Sequence, residues 1–226
     1  MKHVRGLLAA AALLAIAPAA FADKKAEAYV EANANSVLAV LSDRTLNDVQ
    51  REAKFSEYMN KFAYMPAIAR RVLGAQGRDL SDADFNRYFQ VFQSYSLETY
   101  EVYFDQFRGK SIKVNGSKDS DNRRSTVEST IVSSTTGKPT KVYWDVLQSQ
   151  DGQTYRVRDV GIDIDGSVLW LAQEQQAQFE SYLDRNHGDI NKLIERIKQM
   201  ISDLDSRKKS GQGPAKVVTT GQAKPG

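Results

Sequence analysis

The chain has 226 residues, 31 of them basic and 28 acidic, and no cysteine. The absence of cysteine excludes disulfides, thiolate nucleophiles, cysteine metal sites and thiol lipidation, so stability must come from burial alone. Only two histidines are present, and no G-x-S-x-G elbow or glycine-rich phosphate loop occurs, which removes the sequence signs of zinc hydrolases, serine hydrolases and P-loop enzymes.

The first residues read as an export signal. Lys2, His3 and Arg5 form a basic start, Gly6 to Ala17 an apolar run, and Ala20-Phe21-Ala22 a small-x-small cleavage site. This pattern makes residues 1–22 a cleavable signal peptide, with Asp23 opening the exported chain and a bacterial periplasm as its destination. The run is shorter than the roughly 20 residues of a spanning helix and ends at Pro18. Residues 23–205 are expected to form one domain. Its acids outnumber its bases, so it lacks the concentrated positive surface that nucleic acid demands. Residues 206–226 carry Arg207, Lys208, Lys209, Lys216 and Lys224 among Gly, Pro and Ser, without an acid; that composition predicts a disordered basic tail.

The first helix is predicted over Lys24–Leu41, where Ala26, Tyr29, Val30, Val37, Leu38 and Leu41 recur at helical spacing. Thr45 and Asp48 form a capping pair for a second helix carrying Phe55, Tyr58, Met59 and Phe62. Pro66 interrupts it and starts a short third helix that stops at Gly74. Ser81 and Asp84 cap a long helix running to Gly109, whose aromatic residues, from Phe85 through Tyr88, Phe89, Phe92 and Tyr95 to Tyr100 and Phe104, fall mostly on one face. That is more aromatic surface than packing on a small sheet needs.

The period then changes to two. Ser111–Val114, Ser125–Ser133, Lys141–Gln148 and Tyr155–Ile164 read as four strands joined by turns at Asn115-Gly116, Thr136-Gly137-Lys138-Pro139 and Asp151-Gly152. Helices return over Val168–Asp184 and Asp189–Leu204, broken at Asn186-His187-Gly188. The predicted class is α+β: a curved four-stranded antiparallel meander wrapped by helices.

Candidate chemistry is sparse. His187 is the one histidine after the signal and sits in a helix–helix turn, a place for a capping residue. Asp159, Asp163, Asp165 and Gly166 invite a calcium-loop reading. With Gly166 at position 6 of an EF-hand, position 1 is Gly161 and position 12 is Ala172, so two required ligands are missing. The apolar stripes either pack solid or leave a cavity between the long helix and the sheet; pattern alone favours an ordinary core, since pockets are made of the same residue types.

The order of elements and several fixed residues resemble the MlaC (Tol-tolerance) family of periplasmic phospholipid-binding proteins. The carrying residues are Met65 through Gly74, Leu80 through Phe85, Tyr88-Phe89, Phe92, Tyr100, Val142-Tyr143-Trp144, Asp151-Gly152, Tyr155 through Val160, Gly166-Ser167, Gln178-Phe179 and Leu193-Ile194. The chain departs from the family pattern between Asp159 and Phe179, where it is a few residues longer. The resemblance implies a non-enzymatic monomer with an apolar pocket between sheet and helices. Its ligand would be phospholipid, or another lipid such as a hopanoid, and no other cofactor or metal is implied. It also implies partners: an inner-membrane ABC lipid transporter and an outer-membrane lipoprotein–porin complex, between which the carrier shuttles, with a role in outer-membrane lipid asymmetry and toluene tolerance. On that reading Phe89, Phe92, Trp144, Val146, Val157 and Ile162 line the pocket and Ile68, Val72 and Leu73 form its base. Arg70 and Arg71 either approach an anionic head group or lie on a solvated helix face. The competing readings are an interaction module with a closed core and an exported hydrolase using His187.

Overall fold

A computed structural model describes residues 23–105, 107, 110–121, 123–134 and 137–210. The expected signal peptide and residues 211–226 of the expected tail lie outside the described residues. The element order is α1 (Lys24–Ser42), α2 (Asp48–Phe62), α3 (Met65–Val72), α4 (Gln76–Asp79), α5 (Asp82–Asp105), β1 (Lys113–Asp121), β2 (Arg124–Val132), β3 (Pro139–Gln148), β4 (Tyr155–Ile164), β5 (Ser167–Trp170), α6 (Leu171–Arg185) and α7 (Ile190–Lys209). The α+β class stands, and the sheet is an antiparallel meander in the order β1-β2-β3-β4-β5.

The helix starts follow from side-chain capping. Asp23 accepts from the Lys25 and Ala26 amides at 3.0 Å each, satisfying two N–H groups that α1 leaves free. At α2 the expected Thr45–Asp48 pair is replaced by a capping box two residues on. Asn47 accepts from Gln50 N at 2.9 Å, and Gln50 Oε1 accepts from Asn47 N at 3.1 Å. Thr45 instead donates its hydroxyl to Asp43 at 2.6 Å. The α5 cap is the one expected, with Asp84 N donating to Ser81 Oγ at 3.1 Å. Between α6 and α7, His187 (φ 56°) and Gly188 (φ 74°) reverse the chain, and Gly188 N donates to Leu183 O at 2.9 Å. His187 is exposed. α7 runs on to Lys209, past the expected end at Leu204 and into the first residues assigned to the tail.

The sheet corrects two expectations. It has five strands, not four, because the residues Ser167–Trp170, the last three of them expected to begin a helix, form β5. They pair with β4 through a two-residue turn at Asp165 (φ 52°) and Gly166 (φ 85°), the geometry of a tight hairpin with positive φ at both positions. Val168-Leu169-Trp170 runs into α6 without a polar break, which hid the boundary. Nor is Asn115-Gly116 a turn. β1 passes straight through it with a register shift between Val114 and Gly116, and the strand continues to Asp121.

Gly161 shows how tightly β5 is seated. A Cβ there would lie 2.7 Å from Val168 Cγ1 and 3.1 Å from the Trp170 ring. Gly161→Ala is therefore expected to cost about 2 kcal/mol by overpacking, and thermal melts should show Val168→Ala restoring much of it in the double variant. Additive losses would mean that the hairpin is not what Gly161 accommodates.

Burial divides the interior into two cores. The sheet-side core joins α1, α2 and the C-terminal half of α5 to β2, β3 and β4. The helical core joins α3, the N-terminal half of α5, α6 and α7. α5 serves both: Phe85, Tyr88, Phe92 and Tyr95 enter the helical core, while Tyr100 and Phe104 enter the sheet-side core. This accounts for the aromatic excess of that helix without assigning all of it to the sheet.

Candidate functional site

The sheet-side core encloses a small cavity where α1, α2, α3 and α5 meet the inner face of the sheet. β3 supplies Trp144 and β4 supplies Val157, Asp159 and Val160; Val37, Met59, Phe62, Ile68, Tyr100 and Phe104 close it from the helices, and Ala34 and Ala63 also line it. Strand alternation places these groups. On β2 every second residue from Ser125 to Ile131 is buried, so Ser129 and Val127 share the face that β3 presents through Val142, Trp144 and Val146. A serine at position 129 leaves room for the indole and accepts its Nε1–H at 2.8 Å, meeting the need of a buried tryptophan for a partner. Phe104 stacks on Trp144 at 6.3 Å and 9°, and Phe62 tilts against it at 5.5 Å. Tyr29 holds Phe62 from behind, its hydroxyl donating to Phe62 O at 3.0 Å.

The walls are close together. The cavity volume is about 10 Å³, space for about one water. The hollow of several hundred Å³ expected of a binding pocket is not open at these wall positions.

One edge of the cavity is polar. Asp159 is fully buried, and its Oδ1 accepts from Val160 N and Ala172 N, both at 2.8 Å. The second of these bonds ties the start of α6, whose own cap residue Trp170 has no capping side chain, to the sheet. Oδ2 accepts from Arg71 Nη2 at 3.1 Å, and the same nitrogen donates to Arg158 O at 2.8 Å. Arg71 also approaches Asp145 at 3.9 Å, and Asp145 takes two hydrogen bonds from Arg124 at 3.1 Å each. Burial pushes the Asp159 carboxyl above its ordinary value, outweighing the two amides and Arg71, which pull it down. Tyr100, wholly buried nearby, is raised first by burial and then by the Asp159 charge. Among the described residues no group of acids and histidines could hold a metal ion, and no helix is long and apolar enough to cross a membrane.

The residues proposed from sequence fall into three sets. Ile68, Trp144 and Val157 line the cavity. Val146 and Ile162 are buried in the sheet-side core around it. Val72, Leu73 and Phe92 are buried in the helical core, where Phe89 also packs. Arg70 lies over the Phe85 ring at 3.8 Å and pairs with exposed Asp82 at 3.4 Å, whereas Arg71 turns inward to Asp159. The sequence reading did not single out Val37, Met59, Phe62, Tyr100 or Phe104 as lining. All five lie on helical stripes evident in the sequence: Val37 on α1, Met59 and Phe62 on α2, and Tyr100 and Phe104 on the aromatic face of α5. Nothing in a stripe tells which half of α5 meets the sheet.

These features define an α+β domain in which a five-stranded meander and surrounding helices close over an aromatic interior with one buried carboxylate at its edge. The family model described as "MlaC protein" matches residues 31–199, and the chain belongs to the MlaC family. Its fold is similar to that of the phospholipid-binding protein from Ralstonia solanacearum, solved in complex with a phospholipid, with 20% identity and a TM-score of 0.67 over 80% of this chain and 98% of that one. No curated protein sequence matches the chain.

Proposed function

We propose that the chain is a soluble periplasmic carrier that binds the acyl chains of a phospholipid in the sheet-side interior and carries it between the outer and inner membranes. In this reading it exchanges lipid with an outer-membrane lipoprotein–porin complex and an inner-membrane ABC transporter, and it does no covalent chemistry. The carrying observation is that every residue around the interior except Asp159 is apolar or aromatic. Family membership and the basic–apolar–small leader support the location and the transport role.

The physics makes such a carrier necessary. Moving two chains of about 15 methylenes through water costs on the order of 24 kcal/mol at about 0.8 kcal/mol per CH₂. A protein interior as apolar as a bilayer removes that barrier, and binding must stay below the practical ceiling of about 20 kcal/mol for the lipid to leave again. At about 10 Å³ the interior takes an acyl chain only when its walls part, so loading is a movement of helices off the sheet. The same tightness favours a second reading, an interaction module with a permanently closed core.

Two measurements separate these readings. Denatured protein purified from cells should release stoichiometric phospholipid, or another diacyl or polycyclic lipid, in mass spectrometry. The chain has two tryptophans, so Trp170→Phe leaves Trp144 as a sole reporter inside the interior; lipid brominated on its acyl chains should quench its fluorescence. No extracted lipid and no quenching by brominated vesicles would establish the closed-core reading.

A further inference from the structure

The polar edge of the interior gathers three guanidiniums and three carboxylates, of which one carboxylate is exposed. Arg71, Arg124 and Arg158 gather around Asp145 and Asp159, and exposed Asp121 also faces Arg124. The two buried carboxylates are spent on Arg71 and Arg124. Arg158 is half-buried, and its guanidinium makes no hydrogen bond or ion pair among the described residues. It is placed there by a β-bulge. Asp145 pairs with Asp159 and the next residue, Val146, with Val157, leaving Arg158 as the extra residue on β4. Bulges of this kind re-aim a side chain and are enriched beside functional sites. Burial lowers the pKa of Arg158 and outweighs the pull of nearby Asp145, which raises it; Arg124 and Arg71 lower it and Asp159 raises it. Although Asp145 and Asp159 lie near it, a partly desolvated guanidinium whose donors make no hydrogen bond among the described residues has those donors free for an anion.

We propose that Arg158, supported by Arg71 and Arg124, binds the phosphate of an anionic lipid head group at the Asp159 edge of the interior. The assignment rests on the carrier reading and adds the polarity of the bound lipid: its head at the β3–β4 bulge, its chains toward Trp144. Geometry favours this end, because Asp159 both lines the cavity and holds Arg71, and Ile68, which also lines it, lies one helical turn from Arg71 on α3. The planar fork of arginine suits two phosphate oxygens at once. A zwitterionic head would bring a fourth cation beside the three guanidiniums, so an anionic phospholipid should be preferred over phosphatidylcholine.

The test uses vesicles of equimolar phosphatidylglycerol and phosphatidylcholine with identical chains, with the protein-bound lipid ratio read by mass spectrometry. Both lipids offer the phosphate, so the choline cation makes the difference: wild type should favour phosphatidylglycerol by about tenfold, the size of one like-charge repulsion at a partly buried site. Arg158→Gln should bring the ratio close to one, Arg158→Lys should keep part of the preference, and Arg185→Gln, an exposed arginine of α6, should keep all of it. Melting curves check that each variant is folded. A wild-type ratio near one, or an undiminished ratio in folded Arg158→Gln, overturns the head-group assignment while leaving the carrier reading intact. Uptake of neither lipid overturns both. Calorimetry with inorganic phosphate separates the remaining source: Arg158-dependent binding of free phosphate, with lipid selection unchanged in Arg158→Gln, makes this a free-anion site and overturns the lipid assignment.

Discussion

Trp144→Ala is expected to remove about 4 kcal/mol of stability, the upper range for truncating a fully buried aromatic. Trp144 is 1% exposed and forms the sheet wall of the interior. The substitution removes the ring on which Phe104 stacks and against which Phe62 leans, and it strips Ser129 of the N–H it accepts. The site collapses poorly, because the stripped face belongs to a central strand fixed by β2 on one side and β4 on the other. Trp144→Phe should lose roughly half as much, keeping the stack and giving up the indole hydrogen bond and some volume. Urea titrations with unchanged slope check both values. A loss below about 1 kcal/mol for the alanine variant would mean that the helices follow the sheet inward, and that this wall is soft enough to move.

That last outcome bears on function as well. An interior that opens for acyl chains must exchange its aromatic contacts for contacts with lipid at little net cost. Phe62, Phe104 and Trp144 are suited to this, since each meets its neighbours as a ring face or edge at 5.5 to 6.3 Å rather than through directional bonds. The indole N–H is the exception, and it points to Ser129 in the sheet. The polar ties that fix α3 and α6 to β4 converge instead on Asp159, at the margin, where they need not break when apolar walls separate.

What the sequence shows of this arrangement depends on the range of the signal. Caps and periodicity act over a few residues, so α1, the Ser81 start of α5 and the alternation of β2 and β3 are visible in it directly. Asn47 and Thr45 are comparable caps two residues apart, and only packing decides between them. β5 escapes because Val168-Leu169-Trp170 satisfies the helical and the strand period equally, and the deciding contact, Trp170 over Gly161, is made across the sheet. The site divides in the same way. Trp144 and Val157 follow from strand alternation, which gives the inner face at once. The α5 residues do not, because a continuous aromatic stripe carries no mark at the point where its neighbour changes from helix to sheet. Phe92 and Phe104 look alike in sequence and belong to different cores. The Arg158 bulge is a register effect, set by pairing between strands, and no local pattern encodes it.

The second large effect is expected at Arg71. Arg71→Met should cost about 3 kcal/mol at neutral pH, since it leaves the buried Asp159 charge with two amides and no hydrogen-bonded cation, the penalty of breaking one side of a buried pair. The pH dependence distinguishes this cause from lost packing. Burial raises the folded-state pKa of Asp159 above its ordinary 3.8, so the protonated form is the one the fold favours. The stability this group contributes is complete below 3.8 and is lost as pH rises through the raised folded value. Arg71 limits that loss by lowering the Asp159 pKa; without it the folded value rises further. The deficit of Arg71→Met relative to wild type should therefore shrink as the pH falls into the acid range, where Asp159 takes up its proton in both proteins. Arg71→Met with Asp159→Asn should be more stable at neutral pH than Arg71→Met alone, because the amide can still accept from Ala172 N and carries no charge to desolvate. Urea midpoints across that pH range decide the matter: a deficit that does not change with pH, or a double variant weaker than the single one, would show that Arg71 acts through its packed stem and its bond to Arg158 O, with the Asp159 charge balanced by other means.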